Sequence, residues 1–399
     1  MSRTSVAPGG WLGLLGGGQL GRMFAMAAQS LGYRVCVLDP DRGGPAASVA
    51  DDHIEADYLD APALESLALQ CPAITTEFEN VPAQSLAFLA QHSFTTPSAE
   101  SVAVAQDRIA EKRFVASCGI AVVPHAVIES VEDLASTSDD LYPGILKASR
   151  MGYDGKGQAR VADRAEAVAA FASLGGAAVL EKRLDLAFEI SVIVARGADG
   201  ATAIYAPTEN LHREGILAVS TVPSPQVTPT LEADLVAATL RIAHALDYVG
   251  VLCVEFFIVR VHDAAGDRLA VRVNEIAPRP HNSGHYTIDA CVTSQFAQQA
   301  RIVAGLPLGD VRRHSAAVMI NLLGDLWFAN DGSGGDRDAP REPDWSGVLR
   351  HPGANLHLYG KREARRGRKM GHVTVVAPNA GDARRIALDV ADGLGIAGW

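Results

Sequence analysis

Two glutamates in apolar company are the first residues of this chain that need a chemical explanation. Glu255 lies inside VLCVEFFIV and Glu275 inside RVNEIA, runs that otherwise suit buried strands. A carboxylate there is costly unless something compensates it. The linking VHDAAGDR has the composition of a hairpin turn, so both groups could converge on one cation. Mg²⁺ takes one or two carboxylates and completes its shell with water and phosphate oxygens. The alternative is two separate ion pairs, Glu255 with an arginine and Glu275 at a strand edge. A second segment favours the metal. KASRMGYDGKGQ places Lys147 on a strand, then Gly152, Gly155 and Gly157 in a loop that holds Lys156 and ends at Gln158. Glycines let a backbone close over phosphates while lysines neutralise the oxygens. The loop has no G-K-[ST] and is not a Walker A loop. Its plainer reading is a solvated surface loop.

Directly after Glu275, IAPRPHNSGH carries Arg279, His281, Asn282 and His285. The His281 and His285 spacing imitates a helical zinc pair, but Pro280 and Ser283–Gly284 argue against a helix and so against zinc. What remains is a loop dense in donors, suited to a small anion, or else a turn that satisfies its own backbone. Near the C-terminus, YGKREARRGRKMGH sets Lys361, Arg362, Arg365, Arg366, Arg368 and Lys369 against one acid, Glu363. A solvated face is the ordinary reading of a charge run. The interleaved Gly360, Gly367 and Gly371 favour a loop around a phosphate, with some of the six merely on the surface. At the other end, LLGGGQLGRM matches G-x-G-x-x-G at Gly16, Gly18 and Gly21, and Asp39 closes VCVLD at the spacing of a dinucleotide fingerprint. Alone, that motif specifies a strand-to-helix turn with free N–H groups, which binds phosphate whatever carries it, or binds nothing.

These residues need elements to hold them. From residue 1 to about 100, WLGLLG, YRVCVLD, PAITTEF and HSFTTP alternate with helical patterns near 19–31, 61–70 and 82–91. The alternation predicts a small parallel sheet with helices on its faces and ligands at the carboxyl ends of its strands. An amphipathic helix is expected over 103–119, carrying Asp107, Arg108 and Lys112. PGILKAS and AAVLEKRL then read as strands, with a helix near 163–173. FEISVIVAR, TAIYAPTEN, GILAVSTV and the two glutamate runs make a strand-rich region, with helices near 230–246 and 291–304. Residues 331–345 read as an exposed loop. LHLYGK, GHVTVVA and a helix near 381–394 form a final lobe. The resulting divisions are 1–104, 105–185, 186–310 and 311–399.

Composition narrows the classes. The chain has 399 residues, 48% hydrophobic and 20% charged, which suits a multidomain globular protein. Its net charge of −11 works against nucleic-acid binding. The five cysteines are scattered without a C-x-x-C pair, which argues for a reducing compartment and against structural zinc. No apolar run is long enough for a membrane span and no signal sequence is evident, so a cytoplasmic location is expected.

In order, GGGQLGRM, TEFENVP, QDRIAEKRF, LKASRMGYDGKGQ, VLEKRL, PTENLHREGIL, VEFF, VNEIAPRPHNSGHYTIDAC and YGKREARRGRKMGH cover nearly the whole chain. As a set they resemble the ATP-grasp superfamily and, within it, the N5-carboxyaminoimidazole ribonucleotide synthetases. The resemblance implies an α/β and α+β architecture, an ATP-grasp fold with an N-terminal Rossmann-like (pre-ATP-grasp) domain and a small C-terminal lobe. It implies a ligase that joins ATP, bicarbonate and 5-aminoimidazole ribonucleotide (AIR) in purine biosynthesis, through carboxyphosphate, as a homodimer. Arg108, Lys147 and the loop Gly152, Gly155, Lys156, Gly157 and Gln158 match its ATP positions. Glu181, Lys182 and Leu184 resemble its adenine strand, Glu189 its ribose carboxylate, and His212 a nucleotide-side residue. Glu255 and Glu275 match its Mg²⁺ ligands. Arg279, His281, Asn282 and Lys361 look like its bicarbonate pocket, and Tyr153 and Asp154 like the residues meeting the AIR amine. Lys361 and Arg368 resemble its phosphate clamps, with Gln19, Leu20 and Glu77 facing AIR from the first domain. On this reading the GGGQLG turn is a phosphate-side loop for a mononucleotide, and Asp39 need not hold an adenosine ribose. Arg366 departs from the pattern, standing where the family has proline. The rival readings are another acyl-phosphate ligase of the same superfamily, such as a formate-dependent transformylase or a biotin-dependent carboxylase; an NAD oxidoreductase; and a non-catalytic nucleotide sensor.

Overall fold

The computed structural model describes residues 5–152, 155–263, 266–328 and 340–399. Tyr153 and Asp154, and most of the expected loop 331–345, lie outside them. The first unit is a five-stranded, all-parallel sheet. Trp11–Leu15 sits at its centre between Arg34–Leu38 and Ala73–Thr76, with Asp52–Ile54 and Phe94–Thr95 at the edges. Its central strands are buried along almost their whole length because both faces are covered. Helix Gln19–Ser30 packs Leu20, Met23 and Phe24 on one face, and helix Ala61–Gln70 packs Leu64 and Leu67 on the other. The edge strand Asp52–Ile54 has too short and polar a sequence, DHI, to stand out.

The single helix expected over 103–119 is two helices, Ala99–Ala105 and Arg108–Ser117. Asp107 breaks them: its backbone is extended and its side chain accepts the N–H groups of Ile109 and Ala110, a helix N-cap. Arg108 thereby becomes a first-turn residue. The same carboxylate accepts from Ser149 Oγ at 2.7 Å, which ties the helix to the start of the glycine loop. The second unit is a four-stranded antiparallel sheet in the order His125–Ile128, Ala178–Lys182, Gly144–Ala148, Gln158–Val161.

The rest of the chain shares one nine-stranded antiparallel sheet. Its path runs Gly266–Ala277, Gly250–Asp263, Leu186–Arg196, Thr208–Arg213, Ile216–Val222, Ala316–Leu323, Lys369–Ala377, Ala354–Leu358, and Thr202–Ile204 pairs beside it. TAIYAPTEN is therefore two strands, interrupted around Pro207, which has no N–H to give a ladder. Ala316–Leu323 is a strand whose apolar sequence, AAVMINLL, does not distinguish strand from buried helix. It joins residues 311–399 to the same sheet through Ile216–Val222. Helix Ala380–Gly393 then covers that end with a hydrophobic cluster of its own.

Candidate active site

The glycine turn at the head of the parallel sheet is filled by the protein itself. Glu77 accepts the N–H groups of Gly18 at 2.6 Å and Gly21 at 2.8 Å, one on each carboxylate oxygen. Asp39 accepts Gly17 N–H at 2.6 Å and the Tyr58 hydroxyl at 2.5 Å. The positive end of helix Gln19–Ser30, where a phosphate-side loop is expected, faces the Glu77 carboxylate. The glycines are explained by that close approach, because a Cβ on Gly18 would collide with Glu77 Oε1. Burial raises the Glu77 pKa above its ordinary value, and the two N–H groups oppose the rise without cancelling it. Gln19 is half-buried at the first helical position, and Leu20 turns its side chain into the core.

The residues expected on the nucleotide side gather between the four-stranded and nine-stranded sheets. Lys147 lies opposite Gln158, so the strands before and after the glycine loop are paired at its base. A Cβ on Gly155, where φ is +76°, would lie 2.9 Å from the Glu214 carbonyl oxygen, so the loop rests on the hairpin turn at Glu214–Gly215. Gly152 lies beside Arg108, whose guanidinium donates to its carbonyl at 3.5 Å, and Lys156 is exposed. Glu181 does not face a solvent-open pocket. Its carboxylate is 2.7 Å from Lys147 Nζ and 2.6 Å from Lys112 Nζ, all three side chains being buried. Burial alone would raise the Glu181 pKa, but the two ammonium groups hold it at about 2. Lys182 is exposed and Leu184 half-buried at the end of that strand. Glu189 and His212 meet across neighbouring strands at 2.8 Å. Burial disfavours the imidazolium, yet the Glu189 carboxylate raises the His212 pKa above its usual value.

Glu255 and Glu275 are directly opposite on adjacent antiparallel strands, so their side chains leave the same face. A bulge follows at once, since Phe256 pairs with Val273 and Asn274 is the extra residue. Its amide oxygen is 3.4 Å from Lys147 Nζ. Each carboxylate rests on a nitrogen group: Glu255 on His281 Nε2 at 2.8 Å and Glu275 on the Arg108 guanidinium at 2.9 Å. Glu111, which no motif marks, joins them: its carboxylate accepts Ile276 N–H at 2.5 Å beside this pair. Burial and the charge of Glu275 push its pKa up to about 8. Its place in the helix pattern gave no sign of this.

The HNSGH loop divides its side chains. His281 faces Glu255, whereas His285 is fully buried and its ring lies 4.8 Å from that of His372 in the core, so the two histidines do not share a ligand. Asn282 is 8% exposed, and among the described residues neither amide atom has a hydrogen-bond partner. Such an orphaned buried amide is what a small polar ligand would satisfy. Arg279 pairs with both oxygens of Glu79, which sequence reasoning passed over in favour of Glu77. Burial opposes the charged form of Glu79, but Arg279 holds its pKa at about 2.

Acid stability follows from these pairs. Glu79 and Glu181 have folded pKa values near 2, below the unfolded carboxylate at about 4.3, so the folded state binds fewer protons between those values. Their stabilisation is complete above about pH 4.3 and is lost as pH falls toward 2, each group withdrawing about 1.4 kcal/mol per pH unit at most. Urea titrations of tryptophan fluorescence from pH 5 to 2.5 should show this slope, and it should be shallower in Glu79→Gln. A variant with the wild-type slope would remove Glu79 from the account.

The basic loop sits against the first domain. Arg362 lies over Gly43, where a Cβ would be 2.5 Å from its Cζ, and Arg22 lies beside Gly360. Lys361 Nζ donates to the Lys369 carbonyl at 2.6 Å and lies over the Tyr359 ring. Arg368 donates to the Glu363 carbonyl at 3.1 Å. Arg365 is paired with Glu363 at 2.6 Å, and Arg366 lies 3.9 Å from Asp325, so both have acidic partners.

Three family models cover the chain in sequence: a ribonucleotide synthetase preATP-grasp domain over residues 11–106, an ATP-grasp domain over 113–296, and a phosphoribosylaminoimidazole carboxylase C-terminal domain over 317–386. The N5-carboxyaminoimidazole ribonucleotide synthase of Brucella melitensis is 46% identical over 382 residues, which are 95% of this chain and 99% of the relative. The crystal structure of the corresponding synthetase from Thermus thermophilus matches with a TM-score of 0.85 at 35% identity, covering 97% of this chain and 99% of that one. A synthase from Aspergillus clavatus, solved with ADP and 5-aminoimidazole ribonucleotide, matches with a TM-score of 0.84 at 29% identity, over 97% and 99% of the two chains.

Proposed function

Since the chain belongs to the N5-carboxyaminoimidazole ribonucleotide synthase family of ATP-grasp ligases, we propose that it converts AIR, ATP and bicarbonate to N5-carboxy-AIR, ADP and phosphate in purine biosynthesis. The observation that carries this reading is the Asn282 amide, buried and unpartnered among the described residues, beside Arg279 and His281 and within one loop of the paired glutamates. Arg279 ties this loop to Glu79, just past the parallel strand Ala73–Thr76.

Bicarbonate is a poor electrophile, so it is first phosphorylated by ATP, with loss of ADP, to carboxyphosphate. The AIR amine then attacks the carboxyl carbon, a C–N bond forms, and phosphate leaves with the C–O bond electrons. Lys147 and the glycine loop offset charge as it moves along the triphosphate. Arg279, His281, Asn282 and Lys361 hold the bicarbonate, and Tyr153 and Asp154 meet the amine, with Asp154 taking its proton. Glu189 and His212 hold the ribose side of ATP, while Lys182 and Leu184 hold adenine. Lys361 and Arg368 clamp the AIR phosphate, and Gln19 faces AIR from the first domain. Glu77 shapes that turn by holding Gly18 and Gly21.

The paired Glu255 and Glu275 fit Mg²⁺, since they share a face and substrate phosphates supply further oxygens. Bound there, the ion supplies charge neutralisation across the phosphates. Arg108 and His281 are the groups that would exchange those carboxylates for it. A homodimer is carried over from the family resemblance. A cytoplasmic location is read from the sequence, and among the described residues no helix is long and apolar enough to cross a membrane.

ADP release with Mg²⁺ and ATP, with bicarbonate and AIR added separately and together, tests the reading. Strong release only with AIR, alongside a carboxylated product, is expected. Release indifferent to AIR would keep the ligase and assign it another acceptor amine.

A further inference from the structure

Lys112 is a lysine that the proposed chemistry does not use. Its side chain is 1% exposed, and Glu181 is the one group within ion-pair distance of its ammonium among the described residues. Burying an ammonium against a single carboxylate recovers little more than the desolvation it costs, so the pair is weak evidence of a purely structural role. The arrangement becomes intelligible as a count of charge. Glu181 gives one oxygen to Lys112 at 2.6 Å and the other to Lys147 at 2.7 Å, so two cations share one anion. Without Lys112, Glu181 and Lys147 would close as a neutral pair. Lys147 lies at the base of the glycine loop, opposite Gln158, and touches Asn274 on the strand that carries Glu275. It is the member of the triad placed to meet phosphate oxygens.

We propose that Lys112 is a positioning residue for the nucleotide: by occupying one oxygen of Glu181, it leaves the Lys147 site with a net positive charge for the phosphates. This rests on the reading that ATP phosphates bind at Lys147. It differs from a packing role in one respect, because its effect scales with the charge of the ligand and not with the adenosine moiety.

The test compares ATP and adenosine binding, by calorimetry or competition, in wild type, Lys112→Met and Lys112→Met/Glu181→Gln. Lys112→Met is expected to weaken ATP about tenfold, the size of one charge-assisted hydrogen bond, while adenosine changes less than about twofold on the same scale. The double variant leaves Lys147 charged and should restore the wild-type ratio of ATP to adenosine affinity. Taking the ratio cancels any direct effect of Glu181 on adenine, which both ligands share. Unchanged ATP affinity in Lys112→Met overturns the proposal, as does equal weakening of ATP and adenosine. Should the single variant fail to fold, the double variant decides: a wild-type ratio supports the proposal and a tenfold lower one overturns it. A wild-type protein that bound adenosine but gained nothing from the phosphates would overturn both this and the reading beneath it.

Discussion

Glu275→Gln is expected to lower turnover by about 10²–10³-fold, the loss usual when one pre-placed group facing transition-state charge is removed. The fold should hardly notice. The Glu275 side chain is 36% exposed, and its pair with Arg108 sits at the edge of solvent, where such pairs contribute about 1 kcal/mol or less. The Mg²⁺ concentration giving half-maximal ADP release should rise in the variant, and Arg108, relieved of its partner, should still support ATP binding. Steady-state assays across a Mg²⁺ titration, alongside a urea unfolding curve, separate these effects. Full turnover at ordinary Mg²⁺ would show that Glu255 alone suffices and that Glu275 serves only Arg108. A large drop in stability would instead mark the ion pair as structural.

The second large effect is on stability. Glu181→Gln should cost about 3–5 kcal/mol, the usual penalty for removing one partner of a buried charge set. Lys112 and Lys147 would then face each other across an amide, both still buried. Chemical denaturation of the variant, with Lys112→Met/Glu181→Gln beside it, gives a sharp contrast. The double variant removes one of the two opposed cations and should recover a substantial part of the loss. If the single variant unfolds at the wild-type denaturant concentration, the triad is open to water and Glu181 does not anchor the two lysines.

Local patterns explain why so much of the parallel sheet was legible. Trp11–Leu15, Arg34–Leu38 and Ala73–Thr76 are short, largely apolar runs separated by periodic helices, and that alternation is the pattern of a parallel sheet. The hairpin that joins the two glutamate strands was legible, but a matched count from its turn pairs Glu255 with Asn274, and only the bulge at Asn274 sets Glu275 opposite Glu255. Where one residue changed the outcome, periodicity failed. Asp107 splits the 103–119 segment by capping, and Pro207 splits TAIYAPTEN by lacking an N–H. In Ala316–Leu323 the apolar run was long enough for either element, and only pairing with Ile216–Val222 decided it.

The sequence by itself determined which residue types are available to bind phosphates, a divalent cation and a small anion, and in what order along the chain. Tertiary structure decided which of them are engaged with one another. GGGQLG looks like an open anion site because glycines and a helix start are visible in sequence; that Glu77, 56 residues beyond Gly21, already occupies it depends on how strands order in space. The same holds for Arg279, which Glu79 holds across 200 residues, and for Glu181, whose two lysines come from a helix and a neighbouring strand. Charge pairing between distant segments has no periodic signature, because it depends on distances that only the packed sheets create.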